Sequence, residues 1–215
     1  MADTLAGRHV LVTAGPTREP IDPVRFISNH SSGRQGYAVA TACAVLGARV
    51  TLVAGPTSLA DPAQVETIHV ETARDMLAAV EAALPADVFI AVAAVADWRP
   101  AQPSDRKLKL DKQSFSSLPL VENPDILRTI ARRESDRPGL VVGFAAETHD
   151  VEALARAKRE RKGCDWIVAN DVSGDVMGGA ENAVVLVTAQ GTDVWERAPK
   201  DAVARRLAER IAAAL

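Results

Sequence analysis

Short runs rich in β-branched residues alternate with segments of helical periodicity along nearly the whole chain, and this alternation restricts the fold more than any other feature. The runs at 9–14 (HVLVTA), 49–54 (RVTLVA), 66–71 (ETIHVE), 87–94 (DVFIAVAA), 140–146 (LVVGFAA) and 165–170 (DWIVAN) read as buried strands. Segments 33–47, 73–84, 124–134, 150–162 and 200–214 carry apolar residues at helical spacing. Strands that alternate with helices need crossover connections, and crossovers place helices on both faces of a parallel sheet. The expected fold class is therefore α/β: a Rossmann-like, doubly wound, mostly parallel sheet. Near the C-terminus two strand-like runs flank Gln190-Gly191, and a hairpin over 184–196 is expected to add antiparallel strands at one sheet edge. With 215 residues, 47% of them hydrophobic, the chain can bury a full core. A single domain over 1–215 is expected, with 1–8 as a linker-like start.

Composition narrows the functional classes. A net charge of -3 offers no general attraction for nucleic acid or an anionic membrane, so any anion site must be local. No run approaches the roughly 18 apolar residues that span a bilayer, and the start MADTLAGRHVLV lacks a signal-peptide core. A cytoplasmic location is expected, with small molecules as ligands, no nucleic acid and no membrane. Cys43 and Cys164 show no metal-ligand spacing and read as reduced thiols.

A dinucleotide-binding domain carries GxGxxG directly after its first strand. Here that strand runs into AGPTREPIDPV, where prolines stand in place of glycines, and no GxxxxGK[ST] occurs. An NAD-dependent oxidoreductase and a non-catalytic nucleotide-binding module remain as alternatives, the first disfavoured by the missing fingerprint. The repeated AGPT at 14–17 and 54–57 reads as shared turn chemistry at two strand ends. In an open α/β sheet ligands sit beyond the carboxyl ends of the strands. Those ends carry Thr17-Arg18-Glu19, Asp97-Trp98-Arg99, Glu147-Thr148 and Asn170-Asp171.

Several of these groups have an ordinary reading beside a functional one. In SNHSSGRQG, Ser31 or Ser32 is expected to cap the helix that Gly33 opens, while the surplus of polar groups at a helix N-terminus also suits a phosphate or carboxylate. Asp97 is either a cap, a partner of Arg99 or a ligand for ribose hydroxyls. The segment 96–123 holds three prolines and five Lys or Arg, and structureless stretches of that length are functional or disordered. Within it RKLKLDK fits a short alternating strand with Lys107 and Lys109 on one face. Lys107, Lys109 and Lys112 are either a solvated face or a phosphate clamp. Lys158, Arg159, Arg161 and Lys162 suit a helix C-terminus without any ligand.

TAGPTREPIDPVRFISNHSSGRQG, AAVADWRP, KLK, NPDIL, GFAAET and KGCDWIVAND, in this order, resemble the phosphopantothenoylcysteine synthetase domain of bacterial coenzyme A biosynthesis over about residues 8–212. The resemblance implies a ligase that joins 4'-phosphopantothenate to L-cysteine with CTP and Mg2+, through an acyl-cytidylate, releasing CMP and pyrophosphate. It places the nucleotide against Ala91, Val92, Ala93, Asp97, Asn123, Pro124, Asp125, Ile126 and Phe144, with Lys107, Lys158 and Lys162 on its phosphates. Lys107 is implied to stabilise departing pyrophosphate and Asn29 to touch the acyl-cytidylate. Where the family often has a third lysine, Leu110 stands here. The resemblance assigns no metal ligands. It further implies a homodimer, with 96–123 and 184–196 as candidate contacts, and a flavin-containing decarboxylase domain fused upstream in many relatives.

Overall fold

Side-chain alternation decides what covers each face of the central sheet. In a computed structural model of the protein, which describes residues 4–108, 117–147, 149–171 and 181–215, the chain order is β1 (His9–Ala14), β2 (Arg18–Pro20), β3 (Phe26–Ser28), α1 (Arg34–Val45), β4 (Arg49–Ala54), β5 (Glu66–His69), α2 (Ala73–Ala82), β6 (Val88–Ala91), β7 (Trp98–Pro100), β8 (Leu120–Glu122), α3 (Ile126–Ala131), β9 (Leu140–Glu147), α4 (Val151–Lys162), β10 (Trp166–Asp171), β11 (Glu181–Val187), β12 (Thr192–Pro199) and α5 (Lys200–Ala212). Val10, Val12 and Ala14 of β1 point to one face, where they pack with Tyr37, Val39 and Cys43 of α1 and Leu207 and Ile211 of α5. Leu11 of β1 and Phe89 of β6 point to the other, against Met76 and Val80 of α2, Ile130 of α3 and Ala155 of α4. Each fully buried Leu or Ile contributes about 2 kcal/mol relative to exposure.

The large sheet runs β12-β11-β10-β9-β6-β1-β4-β5. Its six strands from β10 to β5 are parallel, with pairs such as Val12↔Ile90 and Val12↔Leu52 fixing the register on either side of β1. β11 and β12 pair antiparallel and extend the β10 edge, as the hairpin pattern predicts. The chain moves outward from β1 to β4 and β5, then returns to the other side of β1 at β6. The strand order therefore reverses between β1 and β6, and a crevice opens there at the carboxyl ends.

The two AGPT turns lie beside each other at the ends of β1 and β4. A Cβ on Gly55 would stand 1.8 Å from the Pro16 carbonyl oxygen, and one on Gly15, where φ is +76°, would meet Gly55 O at 2.9 Å. The repetition is thus turn chemistry, and each glycine makes room for the other turn. Two small antiparallel pairs, β2–β3 and β7–β8, sit outside the main sheet and were not predicted as strands. Glu19 of β2, 1% exposed, accepts a hydrogen bond from Ala73 N at 2.9 Å and so ties this flap to the first turn of α2. That helix also carries a capping box between Thr72 and Asp75. Cys43 and Cys164 are both buried free thiols, and burial pushes them up to about 12 and about 11.

Candidate active site

A cleft of about 490 Å³ opens at the switch point. Thr13 of β1 and Ala91 at the end of β6 line it, joined by Ala93, Asp97, Asn123, Pro124, Asp125, Ile126, Phe144, Lys158 and Lys162. Ten of the twelve positions that the resemblance gives to the nucleotide thus come together. Val92 packs instead on the α1 side of the sheet, since alternate residues leave a strand on opposite faces. Lys107 is exposed and does not line the cleft. Thr13, Trp98 and Glu122 are cleft residues that sequence reasoning did not assign. Of these, Trp98 had a signal, its place directly after Asp97.

The NPDI turn is held by its own side chains. Asn123 Nδ2 donates to Ala96 O at 2.8 Å, and Asn123 N donates to Asp97 O at 2.8 Å. Arg99 donates to the Glu122 carbonyl and to Asn123 Oδ1, so it does not pair with Asp97. Asp97 is exposed and has no side-chain partner among the described residues, which leaves its carboxylate open to the cleft. Asp125 caps α3 through Oδ1, which accepts from Arg128 N at 3.0 Å, while its Oδ2 pairs with Lys162 Nζ.

Lys158 and Lys162 stand one turn apart near the C-terminus of α4, which ends at Gly163 with φ +76°. The macrodipole favours cations there, and the four-residue spacing points both into the cleft. Lys158 Nζ donates to Phe144 O at 2.9 Å. Burial holds its pKa below the ordinary lysine value, and the charge of Lys162 adds to that. Two adjacent cations, one of them partly desolvated, make a site in which a polyanion gains more than it would at the surface.

On the other side of Val95 lies the polar loop before α1. Asn29 Nδ2 donates to Val95 O at 3.0 Å, linking this loop to the cleft wall. One N–H of the amide is thereby used, and the second, with the acceptor Oδ1, remains available. The expected serine cap is not formed. Gly33, at φ +74°, is the N-cap of α1 without any side-chain cap, and Ser31 Oγ instead accepts from Gly33 N at 3.3 Å. A second trough beside this loop is lined by Asn29, Ser31, Ser32 and Arg34.

Lys107 sits on a segment pinned to the β2–β3 flap. Leu108 N donates to Asp22 Oδ2 at 3.2 Å and Arg25 Nη2 donates to Leu108 O at 3.3 Å. Lys109, Leu110 and Lys112, and hence most of the expected RKLKLDK strand, lie outside the described residues, as do Thr148 and the glycine-containing 172–180. The buried Asp22 carboxyl also accepts from Arg25 Nη2 at 2.5 Å. The Arg25 guanidinium, helped by the N–H groups of Val24, Leu108 and Arg25, holds it well below the usual carboxylate range. A depressed folded-state pKa gives stability that is present above the unfolded value, about 3.9, and is lost as pH falls below it toward the folded value. Asp22→Asn is expected to melt below wild type at pH 6, and the gap should begin to narrow only as the pH falls below about 3.9 toward the folded-state value. A gap independent of pH between 3 and 7 would remove Asp22 from this role.

The molecule is thus a Rossmann-like α/β domain with its crevice at the strand switch point and a basic helix end closing one wall. It belongs to the family of DNA/pantothenate metabolism flavoprotein C-terminal domains, whose model matches residues 5–215. The coenzyme A biosynthesis bifunctional protein CoaBC of Vibrio vulnificus is 50% identical over 191 residues, 87% of this chain and 47% of that one. The same protein of Escherichia coli K12 is 46% identical over 208 residues, 94% of this chain and 51% of that one. The chain spans about half the length of the relatives it matches. The crystal structure of the C-terminal domain of CoaBC superposes with a TM-score of 0.84 at 40% identity, covering 99% of this chain and 97% of that one. A Cab2 variant in complex with phosphopantothenate-cysteine shares the fold, with a TM-score of 0.77 at 16% identity over 96% of this chain and 86% of that one. No helix among the described residues is long and apolar enough to cross a membrane.

Proposed function

We propose that the protein is a phosphopantothenate–cysteine ligase that uses CTP. The observation that carries this reading is the side-by-side placement of two subsites: a cleft holding Lys158 and Lys162, and the Asn29 loop docked on the same wall at Val95. Amide formation from a carboxylate needs a leaving group. In the proposed first step a carboxylate oxygen of 4'-phosphopantothenate attacks the α-phosphorus of CTP, the bond to the β-phosphate breaks, and pyrophosphate leaves. In the second, the cysteine amino group adds to the acyl carbon, loses a proton and expels CMP. The first step brings anions together, so cations fixed beforehand lower its barrier.

In this reading Lys158 and Lys162 take the triphosphate, which competes with Asp125 for Lys162. Lys107 acts on departing pyrophosphate from its own segment. Asp97 accepts from ribose hydroxyls. Mg2+ usually binds through substrate phosphates plus one or two carboxylates, and Glu122 on the cleft wall is the carboxylate that would hold it in that mode. Bound there, Mg2+ would supply charge neutralisation. Asn29 donates its free N–H to the oxyanion that forms as cysteine adds. Asn29→Asp is expected to leave folding intact and slow the cysteine step by about 10²-fold, as removing an oxyanion donor does. Product formation at the wild-type rate rejects the assignment. Nucleotide choice is tested by offering CTP and ATP together, with CMP rather than AMP expected as the main nucleotide product.

We also propose that the protein acts in the cytoplasm as a homodimer. Val24, Phe26, Trp98, Leu120 and Val121 are exposed on or beside the two small sheets, and a concentrated apolar patch of this kind favours a protein contact. It overlaps the 96–123 segment, while the C-terminal hairpin exposes Val194, 70% accessible. The pair Val24→Asp and Leu120→Asp is expected to move the protein from twice the chain mass to once in light scattering at micromolar concentration. An unchanged mass excludes this face. In the full-length relatives the second activity is read as decarboxylation of the ligase product by the other half of the chain.

A further inference from the structure

A reaction that spans two subsites needs them at a fixed spacing, and the wall between these two is built by an interrupted ladder. Beyond β1 and β6 the two chains continue side by side in parallel: Ala94 N donates to Gly15 O at 2.9 Å, and Thr17 N donates to Ala94 O at 3.3 Å. The next rung of a parallel ladder would run from Ala96 N to Thr17 O. It is not made. The chains part here, as Arg18 N turns to Glu71 O at 2.8 Å and Thr17 O accepts from Ser28 Oγ at 2.7 Å. Ala96 N donates instead to the Thr17 hydroxyl at 3.0 Å, so a side chain stands in for the rung. Thr17 and Ala96 are both buried, and a buried N–H without a partner is costly.

The substituted rung joins the two halves of the site. On one side, Arg18 pairs with Ser28 across the β2–β3 hairpin, which puts Thr17 beside Asn29, and Asn29 Nδ2 donates to the neighbouring Val95 O at 3.0 Å. On the other, Ala96 O accepts from Asn123 Nδ2 at 2.8 Å, and Asp97 follows directly. The N–H of Ala96 is therefore held from the acyl side and its carbonyl from the nucleotide side. Thr17 itself lines neither the cleft nor the Asn29 trough. We propose that Thr17 is a positioning residue for the first chemical step: its hydroxyl fixes the distance between the Asn29 loop, which takes the acyl carboxylate, and the cleft that takes the nucleotide. The proposal rests on the ligase reading for the identity of that step. Transfer between two bound reactants needs an approach of about 3–3.5 Å, and a misplacement of about 1 Å can slow it by about 10²-fold while each reactant still binds normally.

Thr17→Val keeps the shape of the side chain and removes the acceptor, whereas Thr17→Ser keeps the acceptor. Single-turnover pyrophosphate release at saturating CTP and 4'-phosphopantothenate, without cysteine, reads the step, and calorimetric titration of each compound alone reads the subsites. Thr17→Val is expected to release pyrophosphate about tenfold to a hundredfold more slowly than wild type, with both dissociation constants within about twofold of wild type. Thr17→Ser should bring the rate back to within about threefold of wild type. A site that has merely loosened or partly unfolded would weaken both titrations along with the rate. Where Thr17→Val does not fold, Thr17→Ala, which sets no methyl group against the Ala96 N–H, takes its place under the same readings. Three results overturn the proposal: a wild-type rate without the hydroxyl, Thr17→Ser as slow as Thr17→Val, or affinities that fall in step with the rate. The ligase reading fails separately, if wild type itself releases no pyrophosphate from these two compounds.

Discussion

Lys158→Met is expected to slow pyrophosphate release from CTP by about two to three orders of magnitude, the usual effect of deleting one fixed donor to a developing charge. Methionine keeps an apolar stem of similar length in the cleft wall, so the packing around Phe144 should survive. What is lost is a cation that the fold already holds, at 2.9 Å from Phe144 O, in a partly desolvated position beside Lys162. An ammonium reaching in from solvent cannot replace it, because it would have to shed water on arrival. Single-turnover release in the presence of phosphopantothenate measures the effect. A rate within threefold of wild type would mean that the nucleotide phosphates lie elsewhere.

The largest structural effect is expected from Gly55→Val. Its Cβ would stand 1.8 Å from the Pro16 carbonyl oxygen, and a backbone atom has no rotamer by which to yield. The turns after β1 and β4 would have to separate, moving Pro16 and Thr57 at the edge of the Asn29 trough. A loss of about 3 kcal/mol is expected from overpacking of this kind, read from the midpoint of urea unfolding. Gly139→Ala serves as the control, since its Cβ meets only Asp87 O at 3.5 Å, an ordinary contact. Equal midpoints for Gly55→Val and wild type would show that the two turns are not locked together.

The parallel strands were legible because burial on both faces leaves an unbroken run of β-branched residues, and β1 and β4 match their predicted spans. Helix ends were less so: the pattern at 124–134 yields only Ile126–Ala131, because Asp125 starts the helix and the chain turns at Arg132. β2–β3 and β7–β8 left no signal, since three-residue strands are too short to show a period, and β2 and β7 each contain a proline. Nor could spacing announce that Glu19 is buried under α2, because its hydrogen-bond partner is 54 positions away. In the cleft, the motif residues come together for mixed reasons. Asn123 and Asp125 secure the turn with their side chains, whereas Lys158 and Lys162 are placed by helical spacing that could be read beforehand.

The proposed ligase follows one chemical order, activation before cysteine. Purified protein mixed with CTP, Mg2+ and 4'-phosphopantothenate, with no cysteine present, is predicted to release about one pyrophosphate per active site in a rapid burst. Cysteine added afterwards should discharge CMP and phosphopantothenoylcysteine in equal amounts. Pyrophosphate release that requires cysteine from the outset, or release of orthophosphate in its place, would contradict an acyl-cytidylate formed in this cleft.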